Sequence, residues 1–558
     1  MSTVHSRLLL LLFTASSFGV ALAWSLRRCL RTLHLLQQDG YSNARLIKWL
    51  RRSPAKRFFD ARLAVVLLGL LVIQSAATLL GAPSAAWLSL MAWTAAGTVL
   101  LASVRYPPEK KKLVFTGRSI RLAALSAAIC AGACVILARI SLLQLDAGGR
   151  APAARAAMGS LLASLFVTQM APFAVLLSNV LLAPVQAGIN GYYIRRARHR
   201  LRELAPRVVG ITGSYGKTST KFILDTLLAE KFAVLKTPES FNTLMGVSRT
   251  INENLLPDHR VLIVEMGAYR RGDVRELCEF VRPQIGIITA IGPQHLERFG
   301  SIEAIQAAKQ ELIESLPPSG VAILNDDDPR CRELADGSRT AKVLRYGTDP
   351  SSGGLRIWAE QVGASSAGLR FVLATNDGQR AESRCVLLGR HNVLNVLAAS
   401  CAALEFGLRL EEVAQAIPKI QPVPHRLQLI EGAGGVVVID DSYNSNPVGA
   451  LGALEALSQF TTGRRVLVTP GMVELGSIEQ AQNEEFGAKA ARVCDYIILV
   501  GEKQTRAVLR GVERERFPRA RVRVVPGLGE ARAELQKVLR AGDVVLFEND
   551  LPDLYIEA

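Results

Sequence analysis

At 558 residues the chain is too long for one hydrophobic core, and 49% of it is apolar, more than an ordinary soluble enzyme carries. The net charge of +17 does not point to nucleic acid, because its clusters (Arg27-Arg28, Arg51-Arg52, Lys110-Lys111-Lys112, Arg195-Arg196) each stand beside an apolar run, as at a membrane surface. Eight scattered cysteines with no C-x-x-C pair offer neither a disulfide framework nor a zinc site; Cys130 and Cys134 share a helix face as small packing residues.

In chain order, five segments have the length and apolarity to span a bilayer: Leu8–Leu26, Ala61–Gly81, Ala86–Val104, Leu122–Leu145 and Met158–Leu182. The first reads as a retained anchor, since its positive charge follows the apolar run and no small-residue cleavage site stands out. Stretches 27–60, 105–121 and 190–202 are basic, whereas the turns near Pro83-Ser84 and Asp146–Pro152 are poor in charge or mixed. The positive-inside rule then puts the N-terminus outside and everything after Arg195 in the cytoplasm, a multi-pass protein of the inner membrane. The stretch Ala187–Arg202, with Tyr192 and Tyr193, reads equally as a juxtamembrane basic segment or as a solvated linker helix.

Next comes a strand-like run, Arg207-Val208-Val209, then Gly210-Ile211-Thr212-Gly213-Ser214-Tyr215-Gly216-Lys217-Thr218-Ser219, and a helical run from Thr220. Gly213 and Gly216 allow a tight turn whose N–H groups converge on an anion at a helix N-terminus. Lys217 offers a mobile cation to outer phosphates, and Thr218 a hydroxyl to magnesium. With two residues between the glycines, the loop is shorter than the usual Walker A pattern. The expectation is a nucleoside triphosphate site, cytoplasmic as the topology requires.

Beyond Pro206, short β-branched runs (Val261–Glu265, Ile285–Thr289, Val321–Leu324, Val436–Ile439, Arg465–Thr469, Tyr496–Val500, Val544–Glu548) alternate with helical stretches such as Ile302–Leu316, Val393–Phe406 and Gln480–Arg492. That alternation predicts parallel sheets covered by helices. Three regions are expected: an α-helical membrane region (1–205), a nucleotide-binding domain (206–420) and a smaller terminal domain (421–558) hinged near Pro418, Pro422 and Pro424. Glu265, His295 and Lys309 fall at or just after strand ends, where α/β enzymes keep their chemistry.

Residues 206–558 resemble the Mur ligase family of ATP-dependent amide-forming enzymes of peptidoglycan assembly. The resemblance rests on Thr212–Ser219, Glu265-Met266-Gly267, Ile291-Gly292 with His295-Leu296 and Phe299-Gly300, Ala308-Lys309-Gln310-Glu311 and Asn325-Asp326-Asp327-Asp328. It continues through Gly389–Asn395, His425-Arg426 and Asp440–Pro447. That last motif, with Gly471–Gly476, is most similar to the branch that adds D-alanyl-D-alanine to UDP-N-acetylmuramoyl-tripeptide. The resemblance implies a P-loop parallel-sheet central ATPase domain and a Rossmann-like α/β C-terminal domain.

It also implies roles. Gly213, Ser214, Gly216, Lys217, Thr218 and Ser219 would cradle ATP; Thr218 and Glu265 would hold one Mg²⁺, and His295 with a carbamylated Lys309 a second. Asn325 and Asn392 would contact the nucleoside, Arg426 the γ-phosphate, and Asp441 would contribute to the nucleotide from the terminal domain. Asn242, Thr243, Tyr443 and Asn444 would face substrate, with Thr243 standing where this branch is expected to carry a second asparagine. The family's UDP-recognising front domain is absent, and the membrane region stands in its place. The acceptor is therefore a UDP-linked peptide or, alternatively, a lipid-linked or other peptide carboxylate. An ATP-driven transporter is disfavoured by spans nearly free of ionisable residues, Arg139 being the main exception, and a non-catalytic scaffold by the intact Lys217, Glu265, His295 and Lys309 set.

Overall fold

The computed structural model describes residues 3–38, 40–52, 60–80, 85–103, 112–146, 151–239, 241–336 and 342–550. The turn at Pro83-Ser84, Lys110-Lys111, most of the Asp146–Pro152 turn and Ser240 lie outside the described residues. The chain divides into two units, one up to Ile189 and one from Asn190.

In the first unit, five helices are long and apolar enough to cross a membrane. Helices Thr3–Gln38, Ala61–Leu79, Ala85–Ser103, Gly117–Asp146 and Pro152–Leu181 take up the five apolar segments. The Pro152–Leu181 helix is the most enclosed; Ala156, Ala157, Ser160, Ala163 and Ser164 are buried along it, small side chains that let neighbouring backbones approach. Val65, Val72, Ile73, Val135 and Ile136 instead point outward, each at least 60% exposed. The first helix runs beyond Leu26, so Arg27 and Arg28 lie within it and not after it. Arg28 is buried and donates to the Thr168 carbonyl and to Gln169 Oε1, which satisfies an arginine the apolar pattern alone did not place.

Helix Ala183–Leu204 follows. The solvated-linker reading fails for one of its faces: Ala197 and Leu201 join the buried cluster containing Leu255 and Phe280, and Arg200 Nε donates to the Leu255 carbonyl at 2.8 Å. Tyr192, Tyr193, Arg195 and Arg196 are exposed.

The second unit is built on two sheets. The first contains β1 (Arg207–Thr212), β2 (Val234–Lys236), β3 (Val261–Glu265), β4 (Ile285–Ile288), β5 (Val321–Asn325), β6 (Lys342–Gly347), β7 (Leu355–Ser365), β8 (Gly368–Thr375) and β9 (Arg380–Cys385). Their order is β2-β3-β1-β4-β5-β6-β7-β8-β9, parallel as far as β7 and antiparallel beyond. Strands β1, β3, β4 and β5 are buried along nearly their whole length because helices cover both faces, and hence they read as unbroken apolar runs. Helices Lys217–Leu228 and Asn392–Glu405 pack one face, and Leu244–Asn254, Asp273–Val281 and Ile302–Glu314 the other.

The second sheet holds β10 (Gln428–Glu431), β11 (Val437–Asp441), β12 (Arg465–Thr469), β13 (Tyr496–Val500), β14 (Val522–Val525) and β15 (Val544–Glu548). Its order is β10-β11-β15-β12-β13-β14, with only β10 antiparallel. The α/β expectation holds; the antiparallel hairpins β7-β8-β9 and the β10 edge are additions to it.

Candidate active site

Strand β1 lies between β3 and β4, pairing Ile211 with Glu265 and Thr212 with Ile288. The phosphate-loop candidate therefore emerges beside the ends of both neighbours. The loop is bound to the turn after β4: Ser214 N–H donates to the Ala290 carbonyl at 2.7 Å, and Ser214 Oγ donates to the Gly292 carbonyl at 2.9 Å. Gly213 (φ +148°) and Gly216 (φ +79°) are required there, since an added Cβ would stand 2.0 Å from Thr289 Oγ1 and 2.2 Å from Asn395 Oδ1.

The following helix begins at Lys217, three residues before the start the apolar run suggested, so Lys217, Thr218 and Ser219 occupy its first turn. Lys217 Nζ donates to the Gly213 and Ser214 carbonyls at 2.6 and 3.2 Å, folded back over the loop it would leave on meeting a phosphate. Burial lowers its pKa to about 8, opposed by the nearby Glu265 carboxylate and aided by Arg426.

Glu265 is buried at the end of β3. One of its oxygens accepts from Lys221 Nζ at 2.9 Å and the other from Asn242 Nδ2 at 3.2 Å. Burial pushes its carboxyl upward, but the charges of Lys221 and Lys217 outweigh it and hold the carboxyl below its ordinary range. Thr243, the departure from the expected asparagine, caps helix Leu244–Asn254, its hydroxyl accepting from the Gly246 N–H.

Lys309 is a buried lysine on helix Ile302–Glu314. It is 4% exposed, and among the described residues its ammonium has no hydrogen-bond or ion-pair partner. Burial lowers its pKa to about 7, with the charge of Lys217 adding to the effect and Asp273, Glu311 and Glu265 opposing it. His295 sets its Nδ1 against the carboxylate of Glu474, from the loop after β12, which Arg298 also grips. Burial lowers the His295 pKa although Glu474 pulls the other way.

Asn325 and Asn392 are buried and occupied by their own frame: Asn325 Nδ2 donates to the Thr289 carbonyl at 2.8 Å, and Asn392 Nδ2 to the Leu388 carbonyl at 2.7 Å. Arg426 stacks 4.3 Å from the centroid of the exposed Tyr443 ring. Asp441 Oδ1 accepts from the Leu427 N–H at 3.2 Å, and burial raises its pKa to about 6. Asn444 is half-buried in the next turn.

Beside the loop, Glu265 is thus bound to Lys221 and Asn242, and the charge of Glu265 acts on the ionisation of both Lys217 and Lys309, as that of Arg426 does on Lys217. Sequence reading missed Lys221, Glu474, Asp328 and Glu548. Asp328 Oδ2 anchors the Ile291 N–H at 2.7 Å, and Glu548 sits in register with Asp441 on β15. Lys221 was visible as a second cation one helical turn after Lys217, and Glu474 stood within a quoted motif; neither carried a signal of what it would touch.

For magnesium, the donor set is the test. Among the described residues no three His, Cys, Asp or Glu side chains gather to enclose an ion. Magnesium is commonly held by one or two carboxylates together with substrate phosphates. Glu265, buried beside the loop, and the Thr218 hydroxyl in the first turn of the helix are donors of the kind such a shared site uses.

Residues 211–403 match the Mur ligase middle domain and residues 425–548 the Mur ligase glutamate ligase domain. A UDP-N-acetylmuramoyl-tripeptide--D-alanyl-D-alanine ligase from Mycobacterium bovis is 36% identical over 362 residues, covering 61% of this chain and 69% of the relative. The enzyme of that name from Escherichia coli K12 is 32% identical over 309 residues, covering 55% of this chain and 67% of the relative. Among solved structures, MurF from Acinetobacter baumannii superposes with a TM-score of 0.58 at 26% identity, covering 66% of this chain and 78% of that one. MurF ligase from Thermotoga maritima in complex with ADP gives 0.57 at 27% identity, covering 66% and 81%.

Proposed function

The chain belongs to the Mur ligase family of ATP-dependent amide-forming enzymes, and we propose that it adds D-alanyl-D-alanine to the peptide carboxylate of a UDP-N-acetylmuramoyl-tripeptide while anchored in the cytoplasmic membrane. The observation that carries this reading is the glycine-bearing loop at the end of β1, with the Lys217 ammonium over its carbonyls, beside the buried Glu265 that ends the neighbouring strand β3.

The reaction has two steps. The acceptor carboxylate attacks the γ-phosphorus of ATP, an O–P bond forms as the bond to ADP breaks, and an acyl phosphate results. The amine of the dipeptide then attacks the acyl carbon; phosphate leaves with the C–O bond electrons and the amine loses a proton, giving the amide. Bringing carboxylate to triphosphate is electrostatically costly. Lys217, released from its own loop carbonyls, offsets that charge at the outer phosphates, and Arg426 adds positive charge from the turn before β10. Glu265, Thr218, His295 and a carbamylated Lys309 would hold Mg²⁺, which supplies further charge neutralisation when bound. Asn242, beside Glu265, faces the acceptor, while Tyr443 and Asn444 face the incoming dipeptide. Ser214, Gly216 and Ser219 would line the phosphate cradle.

Five helices with apolar exteriors support the membrane reading. The same helices favour a second reading, in which the acceptor peptide is lipid-linked and delivered at the membrane surface. One experiment separates the two. Purified full-length protein in detergent is given ATP, magnesium and D-alanyl-D-alanine with either a UDP-linked tripeptide or its lipid-linked counterpart, and ADP release is followed. Release only with the UDP-linked acceptor supports the first reading, and release only with the lipid-linked one the second. Release independent of any acceptor overturns both.

A further inference from the structure

Lys221 has no part in the reaction just described, yet it is the most enclosed cation of the site, with its side chain 0% exposed. It lies one turn beyond Lys217 on the helix that follows the loop. Its ammonium bridges two segments that are distant in sequence. It donates to Glu265 Oε2 at 2.9 Å and to the main-chain carbonyl of Glu239.

Glu239 belongs to the segment that carries Asn242. Its described residues Thr237 and Asn242 are tied to the end of β3 at several points. The Glu265 N–H donates to Thr237 Oγ1 at 3.2 Å, Asn242 Nδ2 to Glu265 Oε1 at 3.2 Å, and the Gly267 N–H to the Asn242 carbonyl at 2.9 Å. Glu239 itself sits at φ +41°, a left-handed conformation that a side-chain-bearing residue holds only when its surroundings enforce it. The bond from Lys221 to its carbonyl is one such surrounding contact.

We propose that Lys221 is a positioning residue for amide formation: a buried bracket that fixes the 237–242 segment, and with it Asn242, to the nucleotide-side helix through the Glu265 carboxylate. This rests on the ligase reading above. Its consequence is a division of labour between neighbouring lysines, Lys217 serving the nucleotide and Lys221 the acceptor. A solely structural ion pair would show no such division.

The test uses full-length protein bearing Lys221→Met, which keeps the length of the side chain and removes its charge. ATP affinity, measured by direct binding, should be unchanged, while the acceptor KM rises about 10- to 100-fold, the scale of a small misplacement. Amide hydrogen exchange should quicken at 237–243 and stay as in wild type at 213–218, a readout needing no substrate. Because Lys221 is one half of a buried pair, Thr237→Val provides a second route that cuts the segment's tie to the Glu265 N–H and leaves every charge in place. It should give the same pattern in milder form. Equal losses of ATP and acceptor binding, or exchange at 237–243 unaltered in both variants, would overturn the proposal. Failure of the ligase reading would register separately, as acceptor-independent ADP release by the wild type.

Discussion

His295, at the start of the short helix Leu296–Phe299, meets Glu474, in the loop after β12, the imidazole Nδ1 against the carboxylate, with Arg298 on the other oxygen and the Glu297 N–H on the Glu474 main-chain carbonyl at 3.2 Å. With Nδ1 carrying the proton, the Nε2 lone pair is left for a ligand. Glu474 therefore sets the tautomer and direction of a residue 179 positions before it in sequence. Replacing Glu474 by Ala should lower kcat/KM by about 10- to 100-fold through misorientation, with ATP binding less affected. Steady-state kinetics with calorimetric ATP titration would check this, and unaltered kinetics would leave His295 no need of its partner.

Lys217→Ala should abolish ATP turnover in a protein that remains folded. A charge-assisted contact in a preorganised site accounts for a rate factor of about 10² or more. Near wild-type ADP release would remove the loop from the nucleotide site.

The core of the ligase unit was legible because β1, β3, β4 and β5 are covered on both faces, so Val261–Glu265 and Val321–Asn325 appear as unbroken apolar words. Strand β7 was not, because from Glu360 to Ser365 it leaves the covered part of the sheet and alternates exposed with half-buried residues. At the site, Gly213, Gly216 and Lys217 announced themselves by local spacing. Lys221 and Glu474 did not, since their meaning lies in contacts spanning 44 and 179 positions of sequence. The first apolar segment ended in the reading where its arginines began; the helix continues because Arg28 finds buried acceptors at Thr168 and Gln169.

Glu548 yields a pH prediction. Burial raises its pKa to about 8, with the charge of Asp441 adding to the effect against hydrogen bonds from Ser445 and Thr469. A raised carboxyl makes the folded state hold a proton that the unfolded chain releases near 4.5. Its contribution to stability is therefore full below that value and fades as pH rises toward 8. Glu548→Gln, neutral at every pH, should melt higher than wild type at pH 8 by at least about 2 °C and lose that advantage at pH 5. Parallel melting curves at both pH values would contradict the raised pKa.

The membrane reading predicts a sidedness. A reporter active only in the cytoplasm should be active when fused after Ala558 and silent when inserted near Pro83. The reverse pattern would invert the charge-derived topology and put the ATP site on the wrong side of the membrane.

Lys309 offers the sharpest test, because two chemical states of one buried side chain predict opposite behaviour. As an ammonium it would sit 4% exposed, partnerless among the described residues and near Lys217. Burial instead depresses its pKa to about 7, so above that pH the neutral amine prevails. A neutral amine adds CO₂ to form a carbamate with loss of one proton, turning a repelled cation into an oxygen ligand for a hard metal. Since the depressed pKa favours the neutral form, the penalty for burying charge is lifted as pH climbs from about 7 toward the ordinary 10.5 and returns in full below about 7. Activity should accordingly fall on the acid side of pH 7, and added bicarbonate should move that fall to lower pH. Depleting bicarbonate at neutral pH should slow the wild type. Lys309→Ala should be nearly inactive at all pH values and partly restored by high concentrations of acetate or formate, which would place a carboxylate where the carbamate stood. A fully active alanine variant indifferent to bicarbonate would show that Lys309 serves packing alone.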